Sequence, residues 1–172
     1  AVTWFWTPVR SQPGFFRRVF GGWNLTGIHR VRSGYPITFY NGDDIALGAD
    51  LCGGAEQHPN LVRNPQRSHE SRGDMVAKFF DTTAFQTPQR GYYGSAGRNI
   101  LSGPASISSD LSVLKSFVVW NETRVEFRAE LFNAFNQVNF TRVRTTMTDP
   151  NFGRIDQAAA GRSIQFALKY IW

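Results

Sequence analysis

Residues 123–133, TRVEFRAELFN, constrain this chain more than any other stretch. Val125, Phe127, Ala129 and Leu131 alternate with Arg124, Glu126, Arg128 and Glu130. Side chains of a β-strand point to opposite faces in turn, so a strand here is apolar on one side and fully charged on the other. A helix would scatter both sets around its circumference and bury neither. The closing segment 162–172, RSIQFALKYIW, has the same period, with Ile164, Phe166, Leu168, Tyr170 and Trp172 on one face. Residues 108–119 put Leu111, Val113, Phe117 and Val119 against Asp110, Ser112 and Ser116. Residues 22–33 put Trp23, Leu25 and Val31 against Asn24, Thr26, Arg30 and Arg32, and continuation past Gly34 to about Tyr40 is expected. Residues 2–7, VTWFWT, make a further aromatic strand that Pro8 stops.

Helical periodicity is nearly absent. Residues 74–80, DMVAKFF, predict one short helix within a loop, with Met75, Val76, Phe79 and Phe80 on one side. The chain is therefore expected to be all-β, with about five antiparallel up-and-down strands.

The connections are unequal. Residues 120–122 form a tight turn and 8–21 a medium connection, whereas 41–107 and 134–161 are long and rich in Gly, Pro, Asn, Arg and Thr. Loops longer than about 12–15 residues usually carry function. In an up-and-down order both long loops fall at one end of the strands and both short ones at the other. Transmembrane β-barrels have that layout.

Composition excludes the competing classes. Aromatic residues are 15% and hydrophobic residues 41% of 172, too many for a disordered chain. No run approaches the roughly 18–20 apolar residues of a spanning helix. The single cysteine, Cys52, can form no internal disulfide and has no base nearby in sequence. His58 and His69 lack metal-ligand spacing, so no metal or cofactor is expected. The net charge of +6 is scattered, with no basic run longer than Arg17–Arg18, which argues against a nucleic-acid partner. GSAG at 94–97 lacks the lysine and helix of a phosphate loop, and Asp43–Asp44 reads as turn chemistry. No carboxylate pair has acid–base spacing, so no catalytic residue and no enzyme is expected. Asn-x-Ser/Thr triplets at Asn24, Asn121 and Asn139 read as chance occurrences.

Two environments satisfy the alternation. In a soluble β-sandwich the apolar face packs on a second sheet; such a module would bind carbohydrate on exposed aromatics. In a membrane barrel the apolar face meets lipid and the charged face lines a wet lumen. Arg124, Glu126, Arg128 and Glu130 then form a lumen-facing charge ladder that pairs with neighbouring strands. Tyr170 and Trp172 fall where an interfacial girdle belongs. Arg30/Arg32 and Arg124/Arg128 read as structural ladders or as anion-attracting sets. Lys115, on an apolar face, is expected to snorkel to headgroups near the short turns. His29 also lies on an apolar face. Phe132 breaks the charged face, through a bulge or through a partly apolar lumen wall. Five strands cannot close a membrane barrel, whose smallest members have about eight. The aromatic strand at the very start, beginning at Ala1, fits a piece of a longer chain.

The motifs also resemble a known family. GGWNLTGIHRVRSGYPIT (21–38), FFDTTAF (79–85), YGSAGRNILSGP (93–104), SDLSVLKSF (109–117), RVEFRAELFNAFNQVNF (124–140), DPNFGRI (149–155) and RSIQFALKYIW (162–172) resemble, in order, the C-terminal barrel part of Oar-like TonB-dependent outer-membrane transporters. The resemblance implies a plugged barrel of about 22 strands, energised through the TonB complex by a part outside this chain. It implies the outer membrane of a bacterial cell, with outer-membrane lipid, the remaining strands and plug, and the barrel-assembly machinery as partners. Phe166, Leu168, Tyr170 and Trp172 would carry the assembly signal, with Trp172 where Phe is commoner. The substrate, whether small molecule, carbohydrate or peptide, is not specified. An adhesin or receptor barrel that does not transport is the alternative within the membrane.

Overall fold

The computed structural model describes residues 1–7, 21–47, 57–120 and 123–172. In chain order these form β1 (Val2–Trp6), β2 (Trp23–Arg32), β3 (Pro36–Ile37), β4 (Asn60–Leu61), α1 (Arg72–Ala77), a 3-10 turn (Thr82–Ala84), β5 (Phe85–Gln86), β6 (Leu101–Ser102), β7 (Ser106–Trp120), β8 (Thr123–Phe132), β9 (Phe140–Val143), β10 (Ile155–Ala158) and β11 (Ser163–Ile171). The chain divides into two compact units: residues 1–32, 106–139 and 160–172, and residues 33–105 and 140–159. The tight turn at Asn121, Cys52 and the Arg17–Arg18 pair lie outside the described residues.

The first unit is one antiparallel sheet in the order β1-β2-β7-β8-β11. Each strand pairs with the next in sequence among these five, so the topology is up-and-down. Among the described residues no strand pairs with the outer edge of β1 or of β11. The sheet is not closed. Register propagates the sequence alternation across it. Trp6 faces Leu25, Leu25 faces Val113, Val113 faces Ala129 and Ala129 faces Phe166. One register step away, Phe5, Thr26, Ser112, Glu130 and Gln165 line up on the other side.

The ends of the strands have local causes. Asn133, at φ 50, turns the chain out of β8 in the left-handed conformation that Asn tolerates best among non-glycine residues. Its Nδ2 donates to the Gln137 carbonyl at 2.9 Å and its Oδ1 accepts from the Gln137 N–H at 2.9 Å, closing the turn. Asn139 extends β7 by one side-chain rung. Its Oδ1 accepts from Ile107 N–H and its Nδ2 donates to Ile107 C=O, both at 2.8 Å.

β2 ends at Arg32 rather than running on towards Tyr40. In the second unit, Gly34 and Gly103 approach so closely that a Cβ on Gly34 would collide with the Gly103 carbonyl, and Gly103 N–H donates to Tyr35 C=O at 2.7 Å. Pro36 has no N–H to continue a ladder. Pro36–Ile37 instead pairs with Leu101–Ser102.

The second unit has its own core of Ile37, Phe39, Phe79, Phe80, Ala84, Phe85, Val143 and Ile155. Phe80 meets Phe39, Phe85 and Phe152 edge-on at 4.8, 5.7 and 5.1 Å between ring centroids, a preferred aromatic geometry. The two long connections share this core. Tyr40 N–H donates to Thr145 C=O and Met147 N–H donates to Tyr40 C=O, joining them in a parallel bridge. The short helix starts earlier than its apolar pattern predicts, at Arg72. Ser71 caps it, its Oγ accepting from Asp74 N–H at 3.1 Å. It stops before Phe79 and Phe80, which leave the helix to enter the core.

Candidate functional site

The sheet of the first unit carries two unlike faces. On one, Phe166 and Leu168 are 71% and 74% exposed, Tyr170 and Trp172 stand open beside them, and Trp6 stands open at the far edge of the same face. Tyr170 and Trp172 rings lie 5.9 Å apart, and Phe127 stacks on Phe166 at 6.0 Å. A soluble sheet of this size buries its apolar face. Here that face is offered outward as a continuous surface.

Two ionisable residues, Lys115 and His29, lie on the apolar face, and both are satisfied within the unit. Lys115 does not snorkel outward. It is buried, its Nζ donates to the Gly21 carbonyl at 2.7 Å, and it sits 4.7 Å from the Trp23 ring centre and 5.2 Å from that of Phe117. A carbonyl and two ring faces take the place of the expected headgroup. His29 accepts at Nε2 from the Trp4 indole N–H at 3.0 Å. An indole nitrogen only donates, so the ring proton of the neutral imidazole is on Nδ1, 2.8 Å from Ser109 Oγ. Phe135 stacks on the same ring at 6.4 Å.

The other face holds the charges. Arg124, Glu126, Arg128 and Glu130 share it, but the neighbouring strands do not supply a matching ladder. Glu126 faces Ser116 and Lys169, Arg128 faces Leu114 and Ala167, and Glu130 faces Ser112 and Gln165. Lys169 is thus the one opposite charge across from the run. Arg128 Nη1 lies 3.8 Å from Glu130 Oε1 within the strand. Arg30 is engaged by Asp110 at 2.5 Å, and the other oxygen of Asp110 accepts from Asn133 N–H at 3.0 Å. Phe132 is on this polar face in regular register with Ser163, so no bulge places it there. It joins Phe5 and Ile28 around a concavity of about 430 Å³.

The loop unit holds its polar residues in local networks. Arg142 forks onto Asp156 through Nε and Nη2 at 2.8 and 2.9 Å, and Arg144 bonds the same carboxylate. The Arg142 bond, with help from Arg144, holds the Asp156 carboxyl below its usual range, and Arg142 is raised in return. Arg67 lowers Asp74, and a bond from Thr83 lowers Asp81. Burial raises the Tyr35 phenol, whose oxygen accepts from Val143 N–H at 3.1 Å. His58 lies against Tyr40 with Nδ1 3.0 Å from the Phe39 carbonyl, and His69 stacks on Phe79. Among the described residues no group of three His, Cys, Asp or Glu side chains comes together as a metal site.

An open up-and-down sheet with one outward apolar face and one charged face is the wall of a transmembrane β-barrel. A family model described as an outer membrane beta barrel domain matches residues 2–165, and the chain belongs to that family. Its place is the bacterial outer membrane, which removes the soluble sandwich as a reading. No curated protein and no solved structure gives a match.

Proposed function

We propose that this chain forms part of the barrel wall and the outward-facing loops of an Oar-like TonB-dependent transporter. The observation that carries the proposal is the open sheet: five strands paired in their chain order, a charged face, and both edges unpaired among the described residues. Such a sheet belongs in a wider barrel than it can close itself. Plugged transporters, with about 22 strands, are the widest common case. The ordered motifs from residue 21 to residue 172 support the same family. In this reading the charges of β8 face a wet lumen. The segments 41–107 and 134–161, which carry most of the second unit, form the surface that meets substrate. No residue acts as a catalyst, and energy comes from the TonB complex through a part of the parent protein outside this chain.

The test is site-specific cross-linking of the parent protein to TonB in intact cells. A cross-link that increases with the proton-motive force and with substrate is expected. A parent barrel that reaches the outer membrane but never contacts TonB is a non-transporting receptor or adhesin. The assembly role of the terminal strand has its own test. Trp172→Asp in the parent protein lowers outer-membrane levels if Phe166, Leu168, Tyr170 and Trp172 form the signal; unchanged levels contradict it.

A further inference from the structure

The polar face carries large apolar side chains that a wetted wall does not require. Phe5, Ile28 and Phe132 come from three different strands and collect around one concavity of about 430 Å³. That volume is in the range of small-molecule pockets, about 300–1,000 Å³. Register explains the grouping. Phe5 faces Thr26, Thr26 faces Ser112 and Ser112 faces Glu130 in one row. Ile28 faces Asp110 in the adjoining row of the same face, and Phe132 stands two residues beyond Glu130. Phe5 and Phe132 both line the concavity itself.

The charges in the concavity are unequally engaged. Asp110 receives Arg30 on one oxygen and Asn133 N–H on the other. Both members of that ion pair are spent on each other and on the backbone. Glu130 differs. The 3.8 Å to Arg128 is beyond hydrogen-bond length, and among the described residues no donor bonds its carboxylate. The concavity therefore presents two phenyl walls, the hydroxyls of Thr26 and Ser112, and a carboxylate held only by a long ion pair to Arg128. An anion entering it meets two carboxylates and an arginine already held. An ammonium meets a carboxylate and aromatic faces, the combination that recognises organic cations.

We infer that the concavity between Phe5, Ile28, Phe132 and Glu130 is a binding site for a small organic cation with an apolar body. The cationic head lies at Glu130 and the body against Ile28 and the two rings. The site rests on the proposed reading that this face lines the barrel lumen, and is independent of coupling to TonB.

The test uses the parent protein in lipid nanodiscs, titrated calorimetrically with benzyltrimethylammonium. Benzyl alcohol and benzoate are the neutral and anionic controls. Saturable binding of the cation is expected, with both controls weaker by about tenfold or more. Glu130→Gln and Phe132→Leu each weaken the cation by several-fold to about tenfold, while the folded barrel keeps its gel mobility. Equal binding of benzyl alcohol, no saturable binding of the cation, or unchanged affinity in folded Glu130→Gln overturns the site. If Glu130→Gln does not fold, Glu130→Asp keeps the charge and withdraws it by one methylene. Unchanged affinity in Glu130→Asp together with unchanged affinity in Phe132→Leu is equally contradictory.

Discussion

The two units of this chain invert each other. In the loop unit Phe39 and Phe80 are wholly buried and the charges stand outside in local networks. In the sheet unit the large apolar side chains are the exposed ones, and among the described residues the buried hydrophobics reduce to Ala129 and Ala134. One polypeptide thus carries two solutions to the hydrophobic effect. The loop unit must exclude water from a core of its own, so its phenylalanines point inward. The sheet pairs its three inner strands on both sides and leaves its apolar face to hydrocarbon.

The sharpest way to break this comparison is to make the same kind of change in both regions. Phe80→Ala removes a fully buried ring and costs the loop unit about 3–5 kcal/mol. Amide exchange should rise across residues 57–105 and 140–159, while the parent barrel remains inserted and heat-modifiable. A barrel that fails to insert would mean that the loop core and the wall fold as one.

Phe166→Arg changes a residue that is already exposed. In a water-soluble sheet such a change costs within about 0.5 kcal/mol. On a lipid-facing wall near the midplane it costs about 2–4 kcal/mol. Denaturant titration of the parent barrel in lipid distinguishes the two, and the account requires the larger value.

Asn133→Ala tests the join between strand and turn. It loses the left-handed preference and both bonds to Gln137, a cost of about 1–2 kcal/mol. The expected sign is faster exchange at Ala134–Gln137, with β8 itself unaffected. Protection unchanged at those amides would show that the turn is held by something other than Asn133.

The smallest effect is acid sensitivity. Asp156 has a lowered pKa in the folded loop unit, so the unfolded unit binds its proton more tightly. The stabilisation is complete above the ordinary value of 3.8 and disappears as pH falls through the lowered one. Asp74 and Asp81 act in the same direction. Loop-unit exchange should therefore quicken below the ordinary carboxylate range and stay flat above it. The Asp156→Asn variant should lose part of that dependence.

The faces of the sheet were legible because a strand's period is local. Leu111, Val113, Val125, Phe127, Phe166 and Leu168 declare their side within a few residues. The exceptions were not legible, because their partners are remote. Lys115 is satisfied by a carbonyl 94 residues away, and His29 by Trp4 and Ser109, 25 and 80 residues away. The core of the loops was hidden for another reason. Phe85 and Phe152 sit in stretches dominated by turn residues, Phe79 and Phe80 read as the end of a short helix and Phe39 as the end of a strand, and they meet only when the segments around the two long connections pair. The one signal was the density of phenylalanine in segments otherwise composed as loops. The concavity at Glu130 was equally hidden, since Phe5, Ile28 and Phe132 meet only through register, although Phe132 stood out as the residue that broke its own pattern.

The central claim is that the exposed apolar face of the sheet lies against lipid and the charged face against water. Nitroxide labels placed singly at Gln165, Phe166, Ala167 and Leu168 of the parent protein, in outer-membrane lipid, test it directly. Labels at 166 and 168 should be relaxed by dissolved oxygen and shielded from a water-soluble nickel chelate, and those at 165 and 167 should show the reverse. Nickel access at 166 and 168, or no alternation along β11, would contradict the account.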